Sequence, residues 1–104
     1  MEAVERPPVV CLCGSLRFTD LFRAERQRLT AQGVIVLGPE ETGEELTPER
    51  RVSLGELHLR RIDLADEVRV VSVDGYLGAA TRREIAYARS CGKVLSSLEP
   101  ELEM

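Results

Sequence analysis

The sequence predicts an α/β fold, a small doubly wound parallel sheet of about four strands with helices on both faces. Three observations carry that prediction. Short, continuous apolar runs at 9–13, 34–37, 68–73 and 94–95 have the character of buried strands. Segments of helical period separate them, at 18–32, 47–65 and 80–91. Strict alternation of the two implies right-handed crossovers, which keep the strands parallel.

Each element has its own warrant. The first strand lies between Pro7-Pro8 and Gly14-Ser15. In the first helix Phe18, Leu21, Phe22, Ala24 and Leu29 recur among polar residues, and Gly33 ends the pattern as a cap. The run 34–37 is the second strand, and 38–46, rich in Glu and Gly, is a loop. Thr47-Pro48 supplies an N-cap and a first-turn proline for a helix carrying Leu54, Leu57, Ile62, Leu64 and Ala65, which Gly55 weakens locally. Val68, Val70, Val71 and Val73 form the third strand, closed by Asp74-Gly75. The third helix turns Ile85 and Ala88 inward and is capped by Gly92; Val94-Leu95 is the last strand, and the acidic tail from Glu99 frays. This Rossmann or flavodoxin-like arrangement binds ligands outside the carboxyl ends of its strands, where strand order reverses, so 14–17, 38–47 and 74–84 are the segments to read for function.

At 104 residues, 1–104 is expected to be one domain, and any deep site must use a crevice or a second subunit. A hydrophobic share of 43% with 31% charged residues is that of a globular protein rather than a disordered one. A net charge of -4 with only 4% aromatics argues against a nucleic-acid polymer as partner. No apolar run approaches the roughly 20 residues of a membrane span, and the opening MEAVERPP lacks the basic and apolar stretches of a signal peptide, so the expected place is the cytoplasm with no membrane partner. The cysteines are odd in number, which leaves no closed disulfide framework, and Cys11 and Cys13 share one face of their strand.

The segment Cys13-Gly14-Ser15-Leu16-Arg17 lacks the spacing of the Walker loop and of the dinucleotide fingerprint. A small-residue turn entering a helix, with a hydroxyl and a guanidinium added, can hold a single phosphate. Equally, Ser15 can cap the first helix while Arg17 is solvated. Glu84, near the start of the third helix, can act as a nucleophilic carboxylate, but Thr81-x-x-Glu84 is also a capping-box pattern. His58 shares a stripe with Leu54, Ile62 and Ala65, which reads as a packed histidine. A zinc site would need Cys11, Cys13, Cys91 and His58 to converge, and their spacing matches no structural zinc pattern, so neither metal nor organic cofactor is expected. Asp63, Asp66 and Asp74 are explained as readily by solvation as by catalysis, and no Ser-His-Asp or Cys-His arrangement is present.

Taken in order, Val10 to Arg17, Arg61 to Val68 and Gly78 to Ala88 resemble the nucleoside 2-deoxyribosyltransferase superfamily, most of all its nucleoside 5′-monophosphate N-glycosidase branch. The resemblance covers most of the chain, in a trimmed form. It implies that Glu84 is the nucleophile that attacks the anomeric carbon and that Gly14, Ser15 and Arg17 line a 5′-phosphate pocket. It also implies a homodimer in which neighbouring subunits complete each site. On this view the substrate side includes Cys11, Asp74, Gly78 and Thr81, and the loop 38–47 contacts the base.

The sequence departs from the family pattern at three places. Cys11 stands where an aromatic residue is common. The family's helix-two aspartate falls on His58, with Asp63 as a substitute, so Glu84, His58 and Asp63 form the catalytic set. Gly78-Ala79-Ala80 replaces Gly-Glu-Ser, removing a hydroxyl from the phosphate loop. The implied activity is hydrolysis or transfer of the N-glycosidic bond of a small-molecule nucleotide. The alternative is a nucleotide-binding or regulatory module that keeps Glu84 as a helix cap.

Overall fold

In the computed structural model, which describes residues 6–39 and 46–102, the sheet contains β1 (Val9–Gly14), β2 (Ile35–Leu37), β3 (Glu67–Val71) and β4 (Val94–Ser97). Between them run α1 (Thr19–Ala31), α2 (Pro48–Leu64) and α3 (Ala79–Ser90), with a single 3-10 turn, Leu16–Phe18, leading into α1. All pairings are parallel and the strand order is β2-β1-β3-β4. Strand order therefore reverses at β1, and the crevice lies beyond Gly14 and Val71, which pair at the carboxyl ends of β1 and β3. Of the loop expected to contact a base, residues 40–45 lie outside the described residues.

The pleat of β1 feeds two cores. Val9, Cys11 and Cys13 face one way and pack with Ile62 and Ala65 at the end of α2, Val68, and Ala88 of α3. Val10 and Leu12 face the other way, against Phe22 and Leu29 of α1 and Val71. Helix starts and stops follow local chemistry: Thr47 Oγ1 accepts from the Arg50 amide at 3.2 Å, Pro48 is the first residue of α2, and Gly33 and Gly92 follow α1 and α3 with positive φ.

Several expectations are corrected. Ser15 accepts from the Arg17 amide and so caps the 3-10 turn, while α1 has Phe18 at its N-cap position and no side-chain cap. On α1 the inward position is taken by Glu25, only 5% exposed, and Leu21 and Ala24 turn outward. Glu25 is tolerated there because Arg69 of β3 and Arg28 each reach it at 2.6 Å, and Arg28 first, then Arg69, hold its carboxyl below the ordinary range against the effect of burial. On α2 the inward residues are His58 and Ile62, whereas Leu57 and Leu64 are exposed. Val73 lies beyond β3 and is exposed, because the chain turns at once through Asp74 and Gly75, both with positive φ. The tail does not fray at Glu99: its carboxylate accepts from Ser72 Oγ and from the Gly75 amide. Asp66 is structural, since it accepts from the Val9 amide at 2.8 Å and pairs with Arg6, whose hydrogen bond brings its carboxyl down to about 2.

Gly14 sets the closeness of β1 to β3. A Cβ at this position would stand 2.3 Å from the Val71 carbonyl oxygen, a backbone atom that cannot swing away. A Cβ on Gly55, in the middle of α2, would meet nothing within 4 Å. Gly14→Ala should therefore destabilise by about 1 to 3 kcal/mol, and Gly55→Ala should stabilise by about 0.5 to 1 kcal/mol. Denaturant melts of both variants check this; a Gly14→Ala protein as stable as the wild type would contradict the packing described.

Candidate active site

The amino end of α3 opens into the crevice without a side-chain cap. Gly78 occupies the N-cap position, and the first turn carries no acidic residue. The Thr81–Glu84 capping box therefore does not form. Thr81 is buried, and Glu84, further along the helix, turns toward α2, where its Oε1 lies 3.7 Å from His58 Nε2. Both side chains are largely withdrawn from solvent, at 16% exposed for Glu84 and 6% for His58.

Behind this pair lie the two cysteines of β1, placed on the α2 and α3 side by the strand period. His58 Nε2 is 3.2 Å from Cys13 Sγ and 3.9 Å from Cys11 Sγ. His58 Nδ1 is buried and has no hydrogen-bond partner among the described residues. Within this cluster the charges are interdependent. Burial pushes the Glu84 carboxyl up, partly offset by the His58 charge. Burial works against the imidazolium of His58, but the contact with Cys11 and the charges of Cys11 and Glu84 outweigh it and carry His58 upward. The hydrogen bond from Cys13 brings Cys11 down to about 6 against its burial, and Cys13, whose bond to Cys11 and burial both favour the thiol, moves up. The arrangement offers a poorly hydrated carboxylate beside an imidazole that can carry charge.

A cavity of about 400 Å³ lies in front of Glu84. Gly14, Ser15 and Leu16 form one wall, Gly78 to Thr81 another, and α2 the third, through Arg51, Leu54, Gly55, His58 and Arg61. Of the sequence-derived candidates, Gly14, Ser15, His58, Gly78, Thr81 and Glu84 thus meet around one space. Cys11 does not line it, being fully buried behind His58.

Arg17 does not line the cavity either. Its guanidinium lies 4.1 Å from the centroid of the Tyr76 ring and donates to Tyr76 Oη at 3.1 Å. That hydroxyl approaches Gly78 closely, 3.7 Å from where a Cβ would stand, so Arg17 is parked beside the amino end of α3. Asp63 is not available as a substitute acid: it accepts from Tyr87 Oη at 2.5 Å and pairs with Arg60, on the exposed side of α2 and α3. Asp74 is exposed in the turn after β3, and Cys91 is exposed at the carboxyl end of α3. Residues that sequence reasoning missed are Arg51, Arg61 and Tyr76. Positions 51, 54, 55, 58 and 61 form one helical stripe and could have flagged both arginines once His58 was known to face the cavity; Tyr76 carries no such signal.

No family model matches the sequence, and no curated protein matches it significantly. Solved structures do. A 2-deoxyribosyltransferase of Leishmania mexicana superposes with a TM-score of 0.68 at 18% identity, over 89% of this chain and 66% of its own. The 2-deoxyribosyltransferase of the psychrotolerant bacterium Bacillus psychrosaccharolyticus gives 0.70 at 22% identity, over 92% and 77%. The CMP N-glycosidase of Clostridium botulinum gives 0.62 at 16% identity, over 86% and 69%. The chain thus spans just under two thirds of the Leishmania enzyme's length. With its β2-β1-β3-β4 parallel sheet, this chain has the fold shared by 2-deoxyribosyltransferases and the CMP N-glycosidase.

Proposed function

We propose that this protein breaks the N-glycosidic bond of a nucleoside 5′-monophosphate, by hydrolysis or by transfer, with Glu84 as the nucleophile. The observation that carries the reading is the position of the Glu84 carboxylate, poorly hydrated and facing His58, at a cavity that the uncapped end of α3 also enters. The fold supports it, since the two transferases are named for deoxyribosyl transfer and the clostridial protein for cleaving CMP.

In this mechanism a Glu84 oxygen attacks the anomeric carbon as the bond to the base nitrogen breaks. The bonding pair leaves with the base, which takes up a proton. Developing positive charge on the sugar is stabilised by the nearby carboxylate before capture. Water, or the nitrogen of a second base, then attacks the same carbon and frees Glu84. His58 is a positioning residue, keeping the carboxylate oriented and favouring its charged form. The phosphate sits against the amides of the first turn of α3 and Ser15, where the helix dipole favours an anion. Arg17 meets it from the Tyr76 side, and Arg51 adds positive charge on the cavity wall.

Incubation with ribo- and deoxyribonucleoside monophosphates, followed by chromatography of free base, tests the reading. Wild type should release base, and Glu84→Gln should lose roughly 10³-fold or more of that rate. The ionised carboxylate must do the work, so the acid limb of the rate should fall above the ordinary glutamate value of 4.5. A carboxyl whose folded pKa is raised stabilises in its protonated form, and that stability is lost as pH rises through the folded value. Glu84→Gln should therefore melt no lower than wild type at neutral pH, with no gain below the ordinary glutamate range. Undiminished base release by the variant, or none by wild type with any nucleotide, would defeat the proposal.

Arg17 has its own test. A charge-assisted contact to phosphate is worth about 1.5 to 3 kcal/mol, so Arg17→Ala should weaken monophosphates roughly 10- to 150-fold. The unphosphorylated nucleosides should hardly change, and Arg17→Lys should recover only part because a point charge lacks the two-pronged fork. Paired titrations of nucleotide and nucleoside decide it; equal weakening of both would mean that Arg17 acts only by holding Tyr76 in place.

A further inference from the structure

We propose that Cys11, Cys13, His58 and Glu84 form a binding site for a thiophilic divalent cation, with zinc as its natural probe. The glycosidic mechanism uses Glu84 and His58 and leaves two fully buried thiols unexplained. Those thiols and His58 Nε2 all lie within 4.8 Å of one another. From Nε2 the distances are 3.2 Å to Cys13 Sγ, 3.9 Å to Cys11 Sγ and 3.7 Å to Glu84 Oε1. Around tetrahedral zinc, with bonds of about 2.3 Å to sulfur and about 2.0 to 2.1 Å to nitrogen or oxygen, neighbouring donor atoms stand roughly 3.3 to 3.8 Å apart. The two sulfurs and the imidazole nitrogen therefore lie near three corners of such a shell before any ion enters, and Glu84, which stands outside that mutual spacing but 3.7 Å from His58 Nε2, would turn in to supply the fourth.

The donor set is right for such an ion. Two sulfurs and an imidazole nitrogen select soft or borderline cations over magnesium or calcium, which want oxygen. The ligands come from β1, α2 and α3, three elements packed in one core, so little ordering is needed on binding. His58 and Glu84 line the open cavity, which supplies an entry path. Cys91, at the far end of α3, takes no part. On binding, sulfur lone pairs form the two metal–thiolate bonds and whatever thiol proton is still held leaves to solvent; nothing is oxidised or reduced. A bound ion would engage the Glu84 carboxylate, and if Glu84 is the nucleophile proposed above, zinc inhibits base release reversibly.

Cobalt(II) titration of the reduced full-length protein tests the site without reference to activity. One equivalent should produce a thiolate-to-cobalt charge-transfer band with intense tetrahedral d–d bands, and zinc should abolish both. Cys11→Ser and Cys13→Ser should each weaken zinc by more than the roughly 10- to 100-fold that loss of an outer-shell partner costs, Cys91→Ser should leave it unchanged, and Glu84→Gln should weaken binding while keeping the charge-transfer band. No charge-transfer band in wild type, a band that survives in both cysteine variants, or one that is lost with Cys91, overturns the site. Should Cys11→Ser and Cys13→Ser not fold, the wild-type spectrum and Cys91→Ser still decide. Zinc inhibition reversed by a chelator is the separate functional arm; a positive optical result without base release would leave the metal site standing and the glycosidic reading defeated.

Discussion

Everything at the candidate site depends on how closely β1 and β3 lie together. β1 is paired on both sides, and its carboxyl end approaches the Val71 carbonyl so tightly that only a glycine fits at position 14. The crevice opens just beyond that contact, where strand order reverses. The pleat of β1 sends Cys11 and Cys13 toward α2 and α3 and Leu12 toward α1. A register shift of one residue would exchange these two faces and remove the sulfur atoms from His58 altogether.

The buried groups near Glu84 are costly to the fold. A carboxyl raised by burial, an imidazole whose Nδ1 has no partner among the described residues and two buried sulfurs beside it occupy space that an apolar cluster would fill more favourably. The polar group on the opposite side of the sheet differs in kind. There Glu25 is paired with both Arg28 and Arg69, and Arg69 also bonds Glu67 and Ser96, so the charges are matched and hydrogen-bonded. On the function proposed above, the contrast sets the Glu84 side apart as the face where stability gives way to chemistry.

Element order was legible because its signals are local. Thr47-Pro48 starts α2 through its own side chain and ring, and the apolar runs of β1 and β3 need no distant partner to be read as buried strands. What failed was whatever depends on a partner far along the chain. Glu25 looks like a surface residue until Arg69, 44 positions away, is placed beside it. The Thr81–Glu84 pattern resembles a cap until Gly78 takes the cap position and His58 draws Glu84 across the crevice. Asp63 reads as a substitute acid from its place along α2, but helical rotation turns it outward to Tyr87. The convergence of Cys11 and Cys13 with His58, over separations of 47 and 45 residues, is likewise a property of the packed sheet and helix, beyond the reach of spacing alone.

The central claim is that Glu84 itself becomes bonded to the sugar. Two successive displacements at one carbon retain its configuration, whereas direct attack by solvent inverts it. The most direct measurement is therefore the anomeric configuration, by nuclear magnetic resonance, of the methyl glycoside formed when methanol intercepts the reaction of a β-nucleoside 5′-monophosphate. A β-methyl glycoside is the predicted product; an α-methyl glycoside would show that the acceptor attacks directly, with Glu84 never forming the bond.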